Sequence, residues 1–539
     1  MKKRFLTALI LIAALFVVGC TPDANAPGGG AAPGGATPGG AAPPTETQPG
    51  TGTAPEATQF QRTVTIGVST DMPSNMPFGD PNIQTSIMTY STFNELVRVD
   101  TSDWSVHPEL AHSWEHNADS SVFTFFLRDD VVFHNGEPFT AEDVKFTFEF
   151  ATNQANEGIN FPIQGGALIE EIVAVDAHTV TFYLNRPVPD WLFYANAKIL
   201  SAPTVERYGI MEGGVIGTGP FYFVEHVPGI SWTVRRFDNY WGELPVTEEK
   251  TWVVIADASA RSLSLEAGDV DVIFNVATTD IPGFKANPNV VVYQAPGINN
   301  LFLGINNSRP AGSDLRIRQA IAHAVNRDDI VGAVFEGGAV GSPAWNFIST
   351  VSQGYATVDP IPFDVEASRA ILAEAGFGPN NRLTLELYVF ALHLPTAEVL
   401  QHSLGQSYFD VNITEWSQSG FTANIMADGG YDLMINGSSS VGGTMNIINR
   451  FFTTTGVSNP AFFHNEWLDS RYQDAMNSAT YEEMIAIYAE IQQFLAYQVP
   501  YVPLVQQYLW AVGSSGFSGA YLGNQSYTVT FANARVALN

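Results

Sequence analysis

From Thr63 to Val68 apolar and polar positions alternate, the period of a half-buried strand. The same pattern predicts strands at Val122–Leu127, Val131–Phe133, Thr251–Ile255 and Val270–Phe274. Ile172–Val175 and Val180–Leu184 flank Asp176-Ala177-His178 as the arms of a hairpin would. Helical spacing is interleaved with these runs. Thr140 can cap a helix that has Asp143 at its third position and Val144 and Phe148 on one face. Ala258–Ala267 reads as a helix stopped by Gly268. Further on, Leu301–Ile305 reads as a strand, and Ile317, Ala320, Ile321, Ala324 and Val325 mark one buried helical face. A helix at Ala367–Ala375 ends at Gly376; a strand at Leu383–Phe390, a helix at Thr396–Tyr408 and a strand at Tyr431–Asn436 follow. Thr480 and Glu483 form a capping box before Met484, Ile487, Tyr488, Ile491 and Leu495, and Val499–Val512 returns as a strand. Strands alternating with helices imply an α/β fold, not a sandwich or a bundle.

The pattern changes character at the N-terminus. Lys2, Lys3 and Arg4 precede an apolar run from Leu6 to Val18, the layout of a secretory signal peptide over residues 1–19. The run closes with Val17-Val18-Gly19-Cys20, which resembles a bacterial lipobox and implies cleavage after Gly19 and lipidation of Cys20. Residues 20–59 then collapse to Gly, Pro, Ala and Thr, a composition with nothing to bury, and read as a disordered tether. After it no run approaches the roughly 18 apolar residues of a membrane span. The body is expected outside the cytoplasm, in the periplasm or on the outer face of the cytoplasmic membrane.

Composition narrows the chemistry. With 539 residues the chain is long enough for two or three domains. Its formal net charge of −30 argues against binding nucleic acid or anionic lipid through general electrostatics. Cys20 is the single cysteine, so neither an internal disulfide nor a CxxC metal site is available. No phosphate loop, HExxH or EF-hand motif occurs. Gly437-Ser438-Ser439-Ser440-Val441 lacks the final Gly of a nucleophile elbow and reads as a polar loop. His112 and His116 lie in strand and turn surroundings, not on a helix that would align them as ligands. Asp269 and Asp271 share one face of a strand start and read as surface positions. No catalytic residue, metal or cofactor is expected, and a secreted hydrolase is disfavoured.

One stretch carries a resemblance. Pro108-Glu109-Leu110-Ala111-His112-Ser113-Trp114, Phe123-Thr124-Phe125-Phe126-Leu127-Arg128, and Val131 through Val144 with His134-Asn135-Gly136-Glu137-Pro138 resemble the signature of the family 5 extracellular solute-binding proteins. These are the peptide, nickel and opine receptors of ABC importers. Gly217-Thr218-Gly219-Pro220-Phe221, Asn239-Tyr240-Trp241-Gly242, Gly268-Asp269-Val270-Asp271, Asp314-Leu315-Arg316-Ile317-Arg318-Gln319-Ala320, Ala373-Glu374-Ala375-Gly376-Phe377 and Tyr431-Asp432-Leu433 follow in family order. Asn326-Arg327 stands where the family usually has Asp-Arg. The resemblance implies a two-lobed periplasmic-binding-protein-like α/β fold (type II, cluster C-like) with an extra small domain on lobe I. Lobe I would combine 60–99, 217–296 and 497–539; the small domain would be 100–216 and lobe II 297–496. Many signature residues read as structural: strand, Asn-Gly turn and capped helix.

The implied function is capture of a small solute, an oligopeptide first, between the lobes and its delivery to a membrane permease and ATPase by a monomeric, lipid-anchored receptor. A metal chelate, an opine, an oligosaccharide or a sensing role without import are the alternatives. Dipeptide receptors of the family commonly follow the Asp-Leu strand with Gly-Trp and then acids, one of which pairs with the peptide amino group. Here Ser438 replaces that Trp, and no acid appears before Asn446. A buried ammonium without a partner is costly, which argues against the usual dipeptide pose. Candidate ligand contacts are Met72, Asn75 and Met76 in an early loop, Trp345 and Trp416 as aromatic walls, and Asn436, Gly437, Ser438, Ser439 and Ser440.

Overall fold

The alternating run Thr63–Val68 is β1, with Val64, Ile66 and Val68 turned into the core. The structure, a computed structural model, describes residues 59–73, 77, 83–100, 102–153, 165–195, 197–416, 430–439, 443–456, 459–522, 529–531 and 533–537. The signal segment, Cys20, the tether, Asn75, Met76 and Ser440 lie outside the described residues.

After α1 (Ile83–Thr92), four antiparallel strands make a separate sheet in the order β2 (Ala111–His116), β3 (Val122–Leu127), β5 (Thr179–Leu184), β4 (Ile169–Asp176). α2 (Ala141–Thr152) covers one face of it. Phe182 meets Phe125 and Phe148 edge to face, with ring centroids 5.7 and 4.9 Å away. α2 starts with the predicted box: the Asp143 carboxylate accepts the Thr140 N–H at 2.9 Å. The predicted strand Val131–Phe133 does not form. Gly136, at φ 87°, closes an Asn-Gly turn in which Phe133 N–H donates to Glu137 O, and Val132 keeps only a single bridge to Pro138.

Among the other described residues eleven strands build one sheet, beside three two-stranded pairs. Its strands are β1, β6 (Phe221–Val227), β7 (Ser231–Arg236), β8 (Glu249–Val254), β9 (Val272–Phe274), β10 (Val290–Ile305), β11 (Gly341–Pro343), β12 (Leu383–Phe390), β13 (Phe409–Trp416), β14 (Leu433–Ser439) and β15 (Tyr501–Ser514). The order is β13–β12–β14–β10–β15–β9–β1–β8–β7–β6, with β11 added on β15. Its helices are α3 (Ala258–Ala267), α4 (Leu315–Ala324), α5 (Arg327–Val334), α6 (Val365–Glu374), α7 (Leu394–Gly405), α8 (Gly443–Phe452), α9 (Glu466–Met476) and α10 (Tyr481–Gln498).

Separate apolar clusters lie along this sheet. Around β1, the buried Trp232 and Trp252 stack at 5.7 Å and 7°, worth about 1 kcal/mol beyond their burial. Leu301, Leu303 and Leu385 face α4, α5 and α7, while Phe302, Phe347 and Tyr501 face α8, α9 and α10. The α10 cap differs slightly from the sequence reading: Glu483 N–H donates to Thr480 Oγ1, but the Glu483 carboxylate reaches Ala479 N–H, one residue before the predicted partner. Among the described residues no helix is long and apolar enough to cross a membrane.

Candidate functional site

Two long strands decide where a site can be. β10 and β15 run antiparallel from the Val64 cluster to the Leu301 cluster, pairing Val290 with Ser514 at one end and Gly304 with Tyr501 at the other. Their register breaks between Pro296 and Asn300. On one side of this crossing β1, β8 and β9 are parallel, and β9 advances toward it, from Val272 opposite Gly513 to Phe274 opposite Ala511. On the other side β12, β13 and β14 are parallel, and β14 also advances toward it, from Leu433 opposite Ile305 to Ser439 opposite Asn299. The carboxyl ends of both parallel sets therefore face the crossing, the place where open α/β sheets bind ligands.

The crossing is tied by neutral polar groups. Gln506 Nε2 donates to Gly297 O at 2.9 Å and to Ser349 Oγ at 2.8 Å, and Ser349 Oγ donates to Gly297 O at 3.0 Å. Thr350 Oγ1 donates to Gln506 Oε1 at 3.0 Å. Asn300 Nδ2 donates to Phe347 O at 3.0 Å. Among the described residues Asn300 Oδ1 and Ser438 Oγ are both buried without a hydrogen-bond partner, on residues opposite each other across β10 and β14. Unspent polar capacity at such a junction is what a ligand would use.

The strand ends gather most of the predicted residues. Asn436, Gly437, Ser438 and Ser439 form the last part of β14, paired with Phe302, Leu301, Asn300 and Asn299 in turn. Asn436 Oδ1 accepts the Gly437 N–H, so that amide is folded onto its own backbone. Trp416 ends β13 and stacks on Tyr388 of β12 at 5.2 Å, with Tyr431 beyond it. Met72 follows β1, but its side chain is 1% exposed and packs with Val64, Ile66 and Val68. Trp345 goes elsewhere: its ring lies over the Arg327 guanidinium, 4.5 Å from it. Asn300, Ser349, Gln506 and Tyr388 were not found from sequence; alternation gives the face of a strand, not the neighbour across it.

One carboxylate beside these strand ends, Asp71 just after β1, is already committed. Burial pushes it up, but the N–H groups of Gly229 and Met72 and the His226 ring outweigh that and hold it below the usual carboxylate range. The tip of β14 carries the Ser438 hydroxyl, the Asn436 amide and main chain.

The motifs carrying the resemblance meet at a different place, Asn94. Its Nδ2 donates to Glu109 Oε1 at 2.7 Å, and its Oδ1 accepts from Trp241 Nε1 and Thr218 Oγ1, both at 3.2 Å. A side chain at Gly217 or Gly219 would strike the Thr92 backbone. His134 Nε2 lies 3.0 Å from Gly219 O, and burial lowers its pKa to about 4, so the ring is neutral. Glu137 accepts from Ser201 and Thr204 hydroxyls. These residues fasten the four-stranded sheet to the large one.

A family model, the middle region of the bacterial extracellular solute-binding proteins of family 5, matches residues 105–459. The chain belongs to that family. Family 5 proteins are extracytoplasmic solute receptors of ABC transporters. The chain is 26% identical over 484 residues to the dipeptide-binding protein of Escherichia coli, covering 78% of this chain and 85% of that one. It is 24% identical over 457 residues to heme-binding protein A of Haemophilus influenzae, covering 76% and 81%. HbpA2 of Haemophilus parasuis superposes with a TM-score of 0.80 at 22% identity, over 88% of this chain and all of that one. The murein tripeptide-binding protein MppA in its unliganded open form gives 0.79 at 21% identity, over 90% and 99%. The family 5 fold is thus the two-lobed α/β fold expected from the sequence.

Proposed function

We propose that this family 5 receptor binds an oligopeptide longer than a dipeptide, held chiefly through its main chain, between the strand ends around the β10–β15 crossing. The reading rests on the uncharged tip of β14. Ser438 and Asn300 hold unspent hydrogen-bonding atoms there, Trp416 and Tyr388 supply an aromatic wall, and Asp71 is spent on Gly229, His226 and Met72. Such a surface suits amide groups better than an ammonium. Relatives named as dipeptide-binding and di/tripeptide-binding proteins support a peptide. We further take lobe I as 60–99, 217–296 and 497–539, the small domain as 100–216 and lobe II as 297–496, hinged where Gly297 meets Gln506. Ligand touching both lobes favours closure by its greater affinity for the closed state. The receptor acts as a monomer on a lipid anchor at Cys20, reached after signal-peptide cleavage.

The uncharged tip also favours a second reading, a non-peptide solute such as a metal chelate, an opine or an oligosaccharide. Denaturing the purified full chain and analysing what is released by mass spectrometry separates the two. A ladder of short peptides is the expected result. A single non-peptide compound, with no melting shift on adding a pool of peptides, overturns the peptide reading. A ligand at 100 times its Kd stabilises by about 2.7 kcal/mol, so the shift is measurable.

A further inference from the structure

Arg327 is a cation without an acid. It opens α5 behind the N-cap Asn326 and is only 4% exposed. Its Nε donates to Pro503 O at 2.7 Å and Ala344 O at 3.0 Å, while one terminal nitrogen, buried, has no partner. Among the described residues no carboxylate lies within ion-pairing distance of it. Burial lowers its pKa to about 10, with only Asp328 opposing, so it stays charged at neutral pH. A buried charge of this kind calls for a counter-ion.

The guanidinium lines an open pocket enclosing about 520 Å³, solvent at the mouth included. The amide side chains on its wall are spent. Asn346 donates to Ala356 O and Gln492 Oε1 and accepts from Ile348 N–H; Gln492 donates to Gly354 O and Tyr488 O. Pro360, Pro500 and Pro503 have no N–H to give, and Ile361 and Leu495 are apolar. The half-exposed Trp345 lies over the guanidinium at the edge. The pocket is lined by the start of β15, short of Gln506, and adjoins the crossing through Phe347, whose carbonyl accepts from Asn300.

We propose that this pocket is a second ligand site, which takes a small monocarboxylate with an apolar body, its carboxylate on Arg327 and its hydrocarbon against the proline and aliphatic wall under Trp345. A single charge matches one guanidinium, which binds carboxylates through paired, charge-assisted hydrogen bonds. A polyanion such as phosphate would find no second cation among the lining side chains.

The test is calorimetric titration of the full chain with 3-methylbutyrate, and with its uncharged amide as control. Saturable one-to-one binding of the acid is expected, with the amide weaker by at least about tenfold. Arg327→Gln abolishes that binding, and Trp345→Ala, an edge change that leaves the fold intact, weakens it severalfold. Equal binding of acid and amide overturns the proposal. So does no saturable binding by the wild type, or binding that Trp345→Ala leaves unchanged. Peptide binding is titrated on the same variants, so failure of this proposal and failure of the strand-end reading are told apart.

Discussion

At the scale of single residues, the family motifs act as joints. Asn94 gathers Glu109, Thr218, Tyr240 and Trp241 from three separate blocks of sequence. Asn94→Ala strands these partners in a buried place and costs about 2–3 kcal/mol in urea unfolding; a loss below 0.5 kcal/mol would show the hub to be idle. Glu109 itself is pushed up to about 7, by burial first and then by the neighbouring Glu95 charge. An acid whose folded pKa exceeds its unfolded 4.5 stabilises the fold when protonated. That contribution is complete below about 4.5 and is lost as pH rises through about 7. Glu109→Gln therefore flattens the fall in stability between those values, read as melting temperature against pH; an unchanged profile would contradict the shift. Capping and turn residues were legible in the sequence, Thr140 with Asp143 and Gly268 and Gly376 at helix ends, because those rules are local. The Asn94 hub was not, since nothing in a single sequence places residue 94 beside residue 241.

At the scale of elements, the sequence reading placed Thr63–Val68, Val122–Leu127 and Leu383–Phe390 as strands with their observed limits. It began β10 at Leu301, although the strand starts at Val290. Pro296 and Gly297 interrupt the pattern, and a proline normally argues against a central strand. Here they fall where the register shifts, so the break in pattern marks the crossing itself. Gln506 holds that break by bonds to Gly297 O and Ser349 Oγ. Gln506→Ala leaves both without this donor and is expected to destabilise by about 1–3 kcal/mol and to weaken ligand binding, as measured by thermal melts with and without ligand. Unaltered melting and affinity would remove Gln506 from the hinge. The ends of β12, β13 and β14 became a site only once their common direction was known, which residue spacing does not reveal.

At the scale of the molecule, an acidic body carrying a net charge of −30 is proposed to be held at the membrane by lipid, not by electrostatics. Cys20→Ala should abolish incorporation of labelled palmitate in cells and move the protein from the membrane fraction to the medium or periplasm. Retained label would place the anchor elsewhere. The fold class was legible because many weak motifs occur in one order along the chain; the ligand was not, because the contacts proposed for it lie on strand tips and loops that vary independently of the scaffold. The central claim is capture at the crossing. Hydrogen–deuterium exchange of the full chain, with and without a pool of tri- to pentapeptides, tests it most directly. The account predicts slowed exchange at Ser69–Met72, Phe390–His393, Leu433–Ser439 and the Gly297–Asn300 crossing. Peptide-dependent protection confined to other faces, or none at any peptide concentration, would contradict it.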